Sequence, residues 1–424
     1  MPPMKTLTLL SLAAALAATP AVAAPRTPEQ VAEAALRAAP VWDGHNDAPE
    51  QLRDRREGIL AGFDFEDTGD TKTETKAAMQ TDLARLRQGR VGAQFWSVWV
   101  EAELPEPEAV RQTIEQIDTV KRLVAANPGR LQLATSSAEV ERAWKAGKIA
   151  SLIGMEGGGS IGGSLAVLRQ MHALGARYMT LTHSKTLAWA DSATDAPRHD
   201  GLTGFGRDVV REMQRIGMLV DLSHVSEATM LDALEVARAP VIFSHSSARA
   251  IDGHPRNVPD SALDRLKGNG GIVMVTAVSG FVSPAAREWN AAKAGEEARL
   301  KSLNPGSPDA VKAGLDAWIA VNPKPAATLS QLADHIDFIA KRIGVEHVGI
   351  GGDFDGTSEL PQGFGDVADY PALFAELARR GYSQADLEKI ASRNMMRVVR
   401  AAEAYAAAHR NDPPIENKAF TTAE

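Results

Sequence analysis

The chain has 424 residues, 44% of them hydrophobic, with 46 Lys and Arg against 54 Asp and Glu, a formal charge of −8 and no cysteine. Without cysteine there are no disulfides, thiolate metal ligands or lipid-modified N-terminal cysteine, so a metal has to be held by His, Asp and Glu, donors suited to zinc and other divalent ions. An acidic chain without long basic runs argues against nucleic acid as a partner and leaves small polar substrates open.

The first residues, "MPPMKTLTLLSLAAALAATPAVAAPR", place Lys5 before an apolar run from Leu7 to Ala18 and an A-x-A pattern at Ala21, Val22 and Ala23. That is the layout of a secretory signal, and the run is too short to span a bilayer. A buried N-terminal helix would need a polar face, and this run offers only Thr8 and Ser11. Cleavage after Ala23 is expected, which removes Lys5 and takes the charge to −8 − 1 = −9. The expected product is exported, to a bacterial periplasm or outside the cell, and has no membrane span. Residues 24–410 are read as one domain and residues 411–424 as a polar tail.

Eight short apolar, β-branched stretches follow, at residues 40–45, 93–100, 149–156, 178–183, 218–224, 240–245, 271–278 and 347–354. Helical periodicity separates them, as in "SLAVLRQMHALGA", "FGRDVVREMQRIG" and "SEATMLDALEVARAP", with glycine or proline at the exits. Near-continuous apolar strands alternating with amphipathic helices predict a parallel sheet covered by helices. Eight such units fit a closed, TIM-like (β/α)8 barrel better than an open sheet, which would need polar edge strands. A doubly wound sheet is disfavoured by the lack of a phosphate-binding glycine pattern. Residues 55–90 and 283–328 exceed what one crossover needs and are expected to decorate barrel loops.

Polar residues gather where these strands end. The first carries His45 and Asp47, expected to point to one face in extended geometry. The third ends in Glu156, the fourth in His183, the fifth in His224 and the sixth in His245; the eighth runs into Asp353 and Asp355 of "GGDFDG". Each alone reads most simply as a satisfied polar residue or a turn. Four of ten histidines closing four separate apolar strands is a different observation, because independent structural roles do not predict convergence on one barrel rim.

Four histidines and three or four carboxylates exceed the needs of one tetrahedral zinc and point to two ions. His45 and Asp47 would serve one, His224 and His245 the other, and the two oxygens of Glu156 would bridge them. Ions about 3.5 Å apart share a hydroxide and lower the pKa of bound water toward neutrality. Two dications, two carboxylates and one hydroxide leave 4 − 2 − 1, roughly one positive charge, which favours an oxyanion above the site.

The motifs "DGHND", "GMEGG", "TLTHS", "DLSHVS", "APVIFSHSSAR", "RNVPD" and "GGDFDG", in that order, resemble the membrane dipeptidase (renal dipeptidase) family of zinc peptidases. The likeness runs from about residue 40 to about residue 405. It implies a distorted (β/α)8 barrel, usually homodimeric, with two zinc ions per chain, that hydrolyses dipeptides and tolerates a D-residue at the C-terminal side. It further implies that His45, Asp47 and Glu156 hold one zinc, while Glu156, His224 and His245 hold the second. His183 matches the family's substrate-facing histidine, Arg256 the arginine that grips the terminal carboxylate, and Asp353 the carboxylate that handles the proton, with Asp355 as its rival. Unlike the mammalian members, the chain lacks cysteines and ends in the polar "NDPPIENKAFTTAE". Alternatives are an amidohydrolase acting on N-acyl amino acids, lactones or β-lactams, and a non-catalytic metal- or peptide-binding barrel.

Overall fold

A computed structural model describes residue 3, residues 26–74 and residues 76–416. The expected signal at 1–23, apart from residue 3, and the tail beyond residue 416 lie outside the described residues. Among the described residues no helix is long and apolar enough to cross a membrane.

Nine parallel strands form the sheet: β1 (Val41–Asn46), β2 (Val91–Trp99), β3 (Leu131–Leu133), β4 (Ile149–Glu156), β5 (Ala176–Thr180), β6 (Leu219–Asp221), β7 (Ile242–Phe243), β8 (Ile272–Val275) and β9 (Val348–Ile350). β2 pairs β4 from Ala93↔Ala150 to Trp99↔Glu156, and β9 pairs β1 at Asp43↔Ile350, so eight of the strands close into the expected barrel. The ninth, β3, was not anticipated. It lies beside the first half of β4, and β5 takes over that edge from Ile153 onward. With Gln132 and Leu133 only partly buried and three residues in all, β3 is too short to show a periodicity.

Trp42, Phe95, Ala150, Leu152, Tyr178, Leu219, Ile242, Ile272 and Met274 fill the barrel, and Met395, Val398, Val399 and Ala402 of the helix Asn394–Ala408 plug its lower end. The larger apolar cluster lies between the strands' outer faces and the surrounding helices, several of which begin at a Ser or Thr cap and end at a left-handed glycine, as in Gly204–Ile216.

The strands stop earlier than their apolar sequence suggests. β5 ends three residues before His183, β6 three before His224, β7 two before His245 and β9 three before Asp353. Upper-rim residues therefore sit in loops, and His224, Asp353 and Asp355 adopt left-handed φ values of 67°, 61° and 68°. Such conformations in non-glycine residues are uncommon and concentrate at functional sites. The expected insertion at 283–328 is a helical hairpin, Pro284–Leu303 and Pro308–Val321, joined in part by Trp289 against Trp318 at 5.8 Å. The 55–90 segment wraps the outer wall, with Arg55 donating to the carbonyls of Thr71 and Ala77. The start of the expected tail is tied down, since Ile415 N–H donates to Glu212 at 3.3 Å.

Candidate metal centre

β1 sets the site's first two residues, by a route the sequence did not show. Asp43 pairs with Gln94 but Asn46 with Trp96, so one extra residue enters β1. A bulge of this kind re-aims side chains, and here Trp42 and His45, three apart, both face the barrel interior. Asp47 is not extended, as expected, but is the N-cap of the helix Ala48–Arg56, with φ −100° and ψ 23°. It reaches the same place through this turn: its Oδ2 lies 3.3 Å from His45 Nε2.

Glu156, buried at the top of β4, is the hub. Its Oε2 stands 3.3 Å from His45 Nε2 and accepts a 3.1 Å hydrogen bond from Ser97. Its Oε1 stands 2.9 Å from His224 Nε2, 3.4 Å from His245 Nε2 and 3.9 Å from His183 Nε2. The ring nitrogens of His224 and His245 are 2.9 Å apart. Asp353 Oδ1 completes the group, 3.9 Å from His45 Nε2.

These residues form three overlapping triads with mutually close ligand atoms: His45, Glu156 and His245; Glu156, His183 and His224; and His45, Asp47 and Asp353. His183 and Asp353, read from sequence as facing substrate, thus also stand among the potential ligands. Buried His45 Nε2 and Asp47 Oδ1 have no hydrogen-bond partner. Unsatisfied donor atoms at such depth are costly in an empty protein interior and fit the demands of divalent cations.

The surroundings prepare the donors. Ser244 Oγ donates to Asp221 Oδ2 at 2.6 Å and lies 2.8 Å from His245 Nδ1, so Nδ1 carries the proton and Nε2 keeps its lone pair toward Glu156. Burial, reinforced by Arg256 and His183 for His224 and by His45 for His245, holds both imidazoles well below the usual histidine range and therefore neutral. Burial opposes charge on Glu156 too, yet the imidazoles of His45, His224 and His245 beside it hold its carboxyl well below the usual value.

Tyr178 was missed in the sequence because it sits within an apolar strand and reads as core. Its hydroxyl shares a 2.8 Å hydrogen bond with His45 Nδ1, which fixes the ring. The space for Tyr178 comes from Gly154, where a Cβ would lie 2.0 Å from Tyr178 Cζ. Gly356 does the same for the carboxylates, since a Cβ there would lie 2.2 Å from Asp47 Oδ2 and 2.8 Å from Asp353 Oδ1. Tyr178→Phe removes the hydroxyl while keeping the ring. It is expected to weaken Zn2+ binding about 10- to 100-fold, the typical effect of losing a group that orients a ligand. Competition with a chromophoric chelator measures this, and unchanged affinity would rule the orienting role out.

Arg256 sits in the loop after β7, buried, with Nη1 donating to Ser246 Oγ and Nη2 to the His245 carbonyl, both at 3.2 Å. Its Nε has no partner, and its guanidinium lies 5.4 Å from the Phe281 ring centre. Burial brings its pKa down to about 10, so it stays charged at neutral pH. Asp47, Glu156, His183, His224, His245, Arg256 and Asp353 all line one cavity of about 350 Å³. A second cavity of about 230 Å³, walled by Leu104, Leu187 and Trp189, meets it at Glu156 and His183.

Of the two acids in "GGDFDG", Asp353 lines the larger cavity and Asp355 does not. Asp355 instead accepts from Gln80 N–H at 2.7 Å, and its own N–H donates to Gln80 Oε1 at 2.7 Å, which pins the 76–82 segment to the rim. Burial, with Asp47 and Glu156 close by, pushes the Asp353 carboxyl up to about 7. A carboxyl whose folded pKa exceeds its unfolded value of about 3.9 stabilises the fold fully below that value. The contribution is then lost as pH rises through about 7. In chelator-treated protein, Asp353→Asn should therefore raise the melting temperature by a few degrees at pH 8 and change it little at pH 4. Equal shifts at both pH values in thermal denaturation would contradict this.

The family model described as "Membrane dipeptidase (Peptidase family M19)" matches residues 29–413. Dipeptidase tcpJ of Claviceps purpurea (strain 20.1) is 40% identical over 382 residues, covering 88% of this chain and 79% of that protein. Dipeptidase 3 of Macaca fascicularis is 40% identical over 390 residues, covering 91% and 70%. Among solved structures, the probable dipeptidase PvdM from Pseudomonas aeruginosa superposes with a TM-score of 0.75 at 25% identity, over 89% of this chain and 99% of that one.

Proposed function

The chain belongs to the membrane dipeptidase family, peptidase family M19, and is a metal-dependent dipeptidase; from this premise we propose that it is an exported binuclear zinc enzyme, working as a homodimer, that cleaves dipeptides including those with a C-terminal D-residue. The observation that carries the binuclear reading is the two-sided use of Glu156. One oxygen faces His45, beside Asp47, and the other faces His224 and His245. Zinc ions bound there would supply Lewis acidity and an activated water.

The protein's own residues do the rest. The free carboxylate of a dipeptide seats on Arg256, the one arginine lining a cavity otherwise rich in acids and histidines among the described residues. This places the scissile carbonyl between that arginine and Glu156, beside His183. Burial pulls the His183 pKa down despite Glu156, so its imidazole is neutral and serves as a hydrogen-bond donor to the developing oxyanion. Asp353, with a pKa pushed up to about 7, is poised to hold a proton and deliver it to the departing amine. The export reading rests on the N-terminal sequence, and the homodimer and D-residue readings on the family resemblance.

Hydrolysis of a dipeptide panel by zinc-loaded protein, with and without chelator and alongside elemental analysis, tests the proposal. The expected result is chelator-sensitive turnover of free dipeptides, L-Ala-D-Ala among them, with N-acetylated versions lost. Full activity at less than one tightly held ion per chain would overturn the binuclear reading.

A further inference from the structure

One acidic residue of the cavity is unused in this account. Glu50 lies in the first turn of the helix Ala48–Arg56 and lines the same wall as Asp47, Trp99 and Thr357. A glutamate three residues after an N-cap commonly serves its own helix, yet the Asp47 cap makes no side-chain hydrogen bond and none fixes the Glu50 carboxylate among the described residues. Burial, and after it the like charges of Asp47, Asp54 and Glu156, push its carboxyl up to about 9, so without a cation beside it the side chain holds a proton. Arg53 is the cation whose charge reaches it, and that guanidinium is committed elsewhere. It donates to the Trp99 carbonyl at 2.8 Å, to Asp54 at 3.1 Å and to Glu101 at 3.2 Å.

A cationic group seated beside this carboxyl in the cavity would draw off its proton and offset the like charges around it. We propose that Glu50 is a specificity residue that receives the basic side chain of the substrate's amino-terminal residue, so that the preferred dipeptides begin with Lys or Arg. The proposal rests on the seating of the dipeptide described above. With the carboxylate on Arg256, beyond His245 on the β7 side, the amino-terminal residue extends toward β1 and β2, where Glu50 and Trp99 lie.

The α-ammonium is bonded to the carbon next to the scissile carbonyl and so stays near Glu156, within reach of Asp47 and Asp353. Glu50 is three residues further along the helix, about 4.5 Å of rise. On that reading the inner acids take the α-nitrogen and Glu50 takes the side-chain terminus. Trp99, whose ring carries the Arg53 guanidinium 5.2 Å from its centre, lines the cavity too and adds apolar surface for the aliphatic stem of Lys or Arg.

Steady-state kinetics on Lys-Ala, Arg-Ala, Met-Ala and Glu-Ala, with wild-type and Glu50→Gln protein loaded with zinc, test the assignment. The wild-type ratio of kcat/KM for Lys-Ala over Met-Ala is expected to fall about 10- to 100-fold in E50Q, as for loss of a charged hydrogen bond. Glu50→Lys is expected to invert the order in favour of Glu-Ala. A ratio that changes less than twofold overturns the proposal. So does an equal loss on all four substrates, because that places the α-ammonium on Glu50. Calorimetric binding of argininamide, which has no carboxylate, separates Glu50 from the Arg256 seating. Affinity should drop about tenfold or more in E50Q even if the seating is wrong, and unchanged affinity rejects the role of Glu50.

Discussion

Glu156→Gln is expected to lower kcat/KM for a free dipeptide by about three orders of magnitude or more, with bound zinc falling to one ion or none per chain. The substitution keeps the size and most of the shape of the side chain but removes its charge. In the native site both oxygens are engaged, Oε2 toward His45 and Oε1 toward His224 and His245. A glutamine offers an acceptor on one side only and turns an N–H2 group toward an imidazole nitrogen on the other. The imidazoles of His45, His224 and His245 keep the native carboxyl ionised in spite of burial, so the lost charge is present at neutral pH. Several kcal/mol of transition-state stabilisation by metal ions at about 1.4 kcal/mol per decade gives the expected size. The check is kcat/KM with elemental analysis on the same sample, together with a melting curve to show that the barrel is intact. Activity within tenfold of wild type at full metal content would remove Glu156 from the bridging position.

Arg256→Lys should cost about 100-fold in kcat/KM on free dipeptides, chiefly through KM, while hydrolysis of the C-terminal amide changes much less. The native guanidinium spends one N–H on Ser246 and one on the His245 carbonyl, which holds the group at the cavity wall with further N–H groups left to donate. Lysine keeps the charge but not the fork, and a charged hydrogen bond is worth about 1.5–3 kcal/mol, or roughly one to two decades in affinity. Comparing each dipeptide with its amide isolates the contact with the carboxylate from any general loosening of the loop. An arginine with a purely structural role would depress both substrates together.

The barrel was legible because its strands lie within stretches rich in apolar residues, and even Ile242–Phe243, a two-residue strand, lies within a longer apolar run. The convergence of His45, Asp47, Glu156, His183, His224, His245 and Asp353 was legible for the same reason, since each polar residue stands out against the run it follows. The upper ends of the strands were not. Apolar residues continue past the last ladder pair into loops that are just as buried, such as Leu181 and Leu222, so burial and pairing diverge there. The bulge in β1 leaves no mark in composition, and the inward turn of His45 comes from register alone. Tyr178, Gly154 and Asp221 act through partners more than 20 residues away in the chain, and nothing in their local sequence, or in that of Ser244, separates them from ordinary core or turn residues. Asp353 and Asp355 were indistinguishable as neighbours in a motif. What separates them is Gln80, which captures Asp355 and leaves Asp353 facing the cavity.

The joining of β9 to β1 has a consequence for assembly. Asp47 N–H donates to the Phe354 carbonyl at 2.9 Å, Asp353 N–H to the His45 carbonyl at 3.2 Å, and Gly352 N–H to Asp43 Oδ1 at 2.9 Å. The centre therefore straddles the seam where the first strand made meets the last, more than 300 residues later, and its triad of His45, Asp47 and Asp353 does not exist until that seam is shut. Metal uptake reports completion of the ring. A chain interrupted anywhere before β9 stays inert however much of its barrel has formed, so hydrolytic power is withheld until the whole polypeptide is in place.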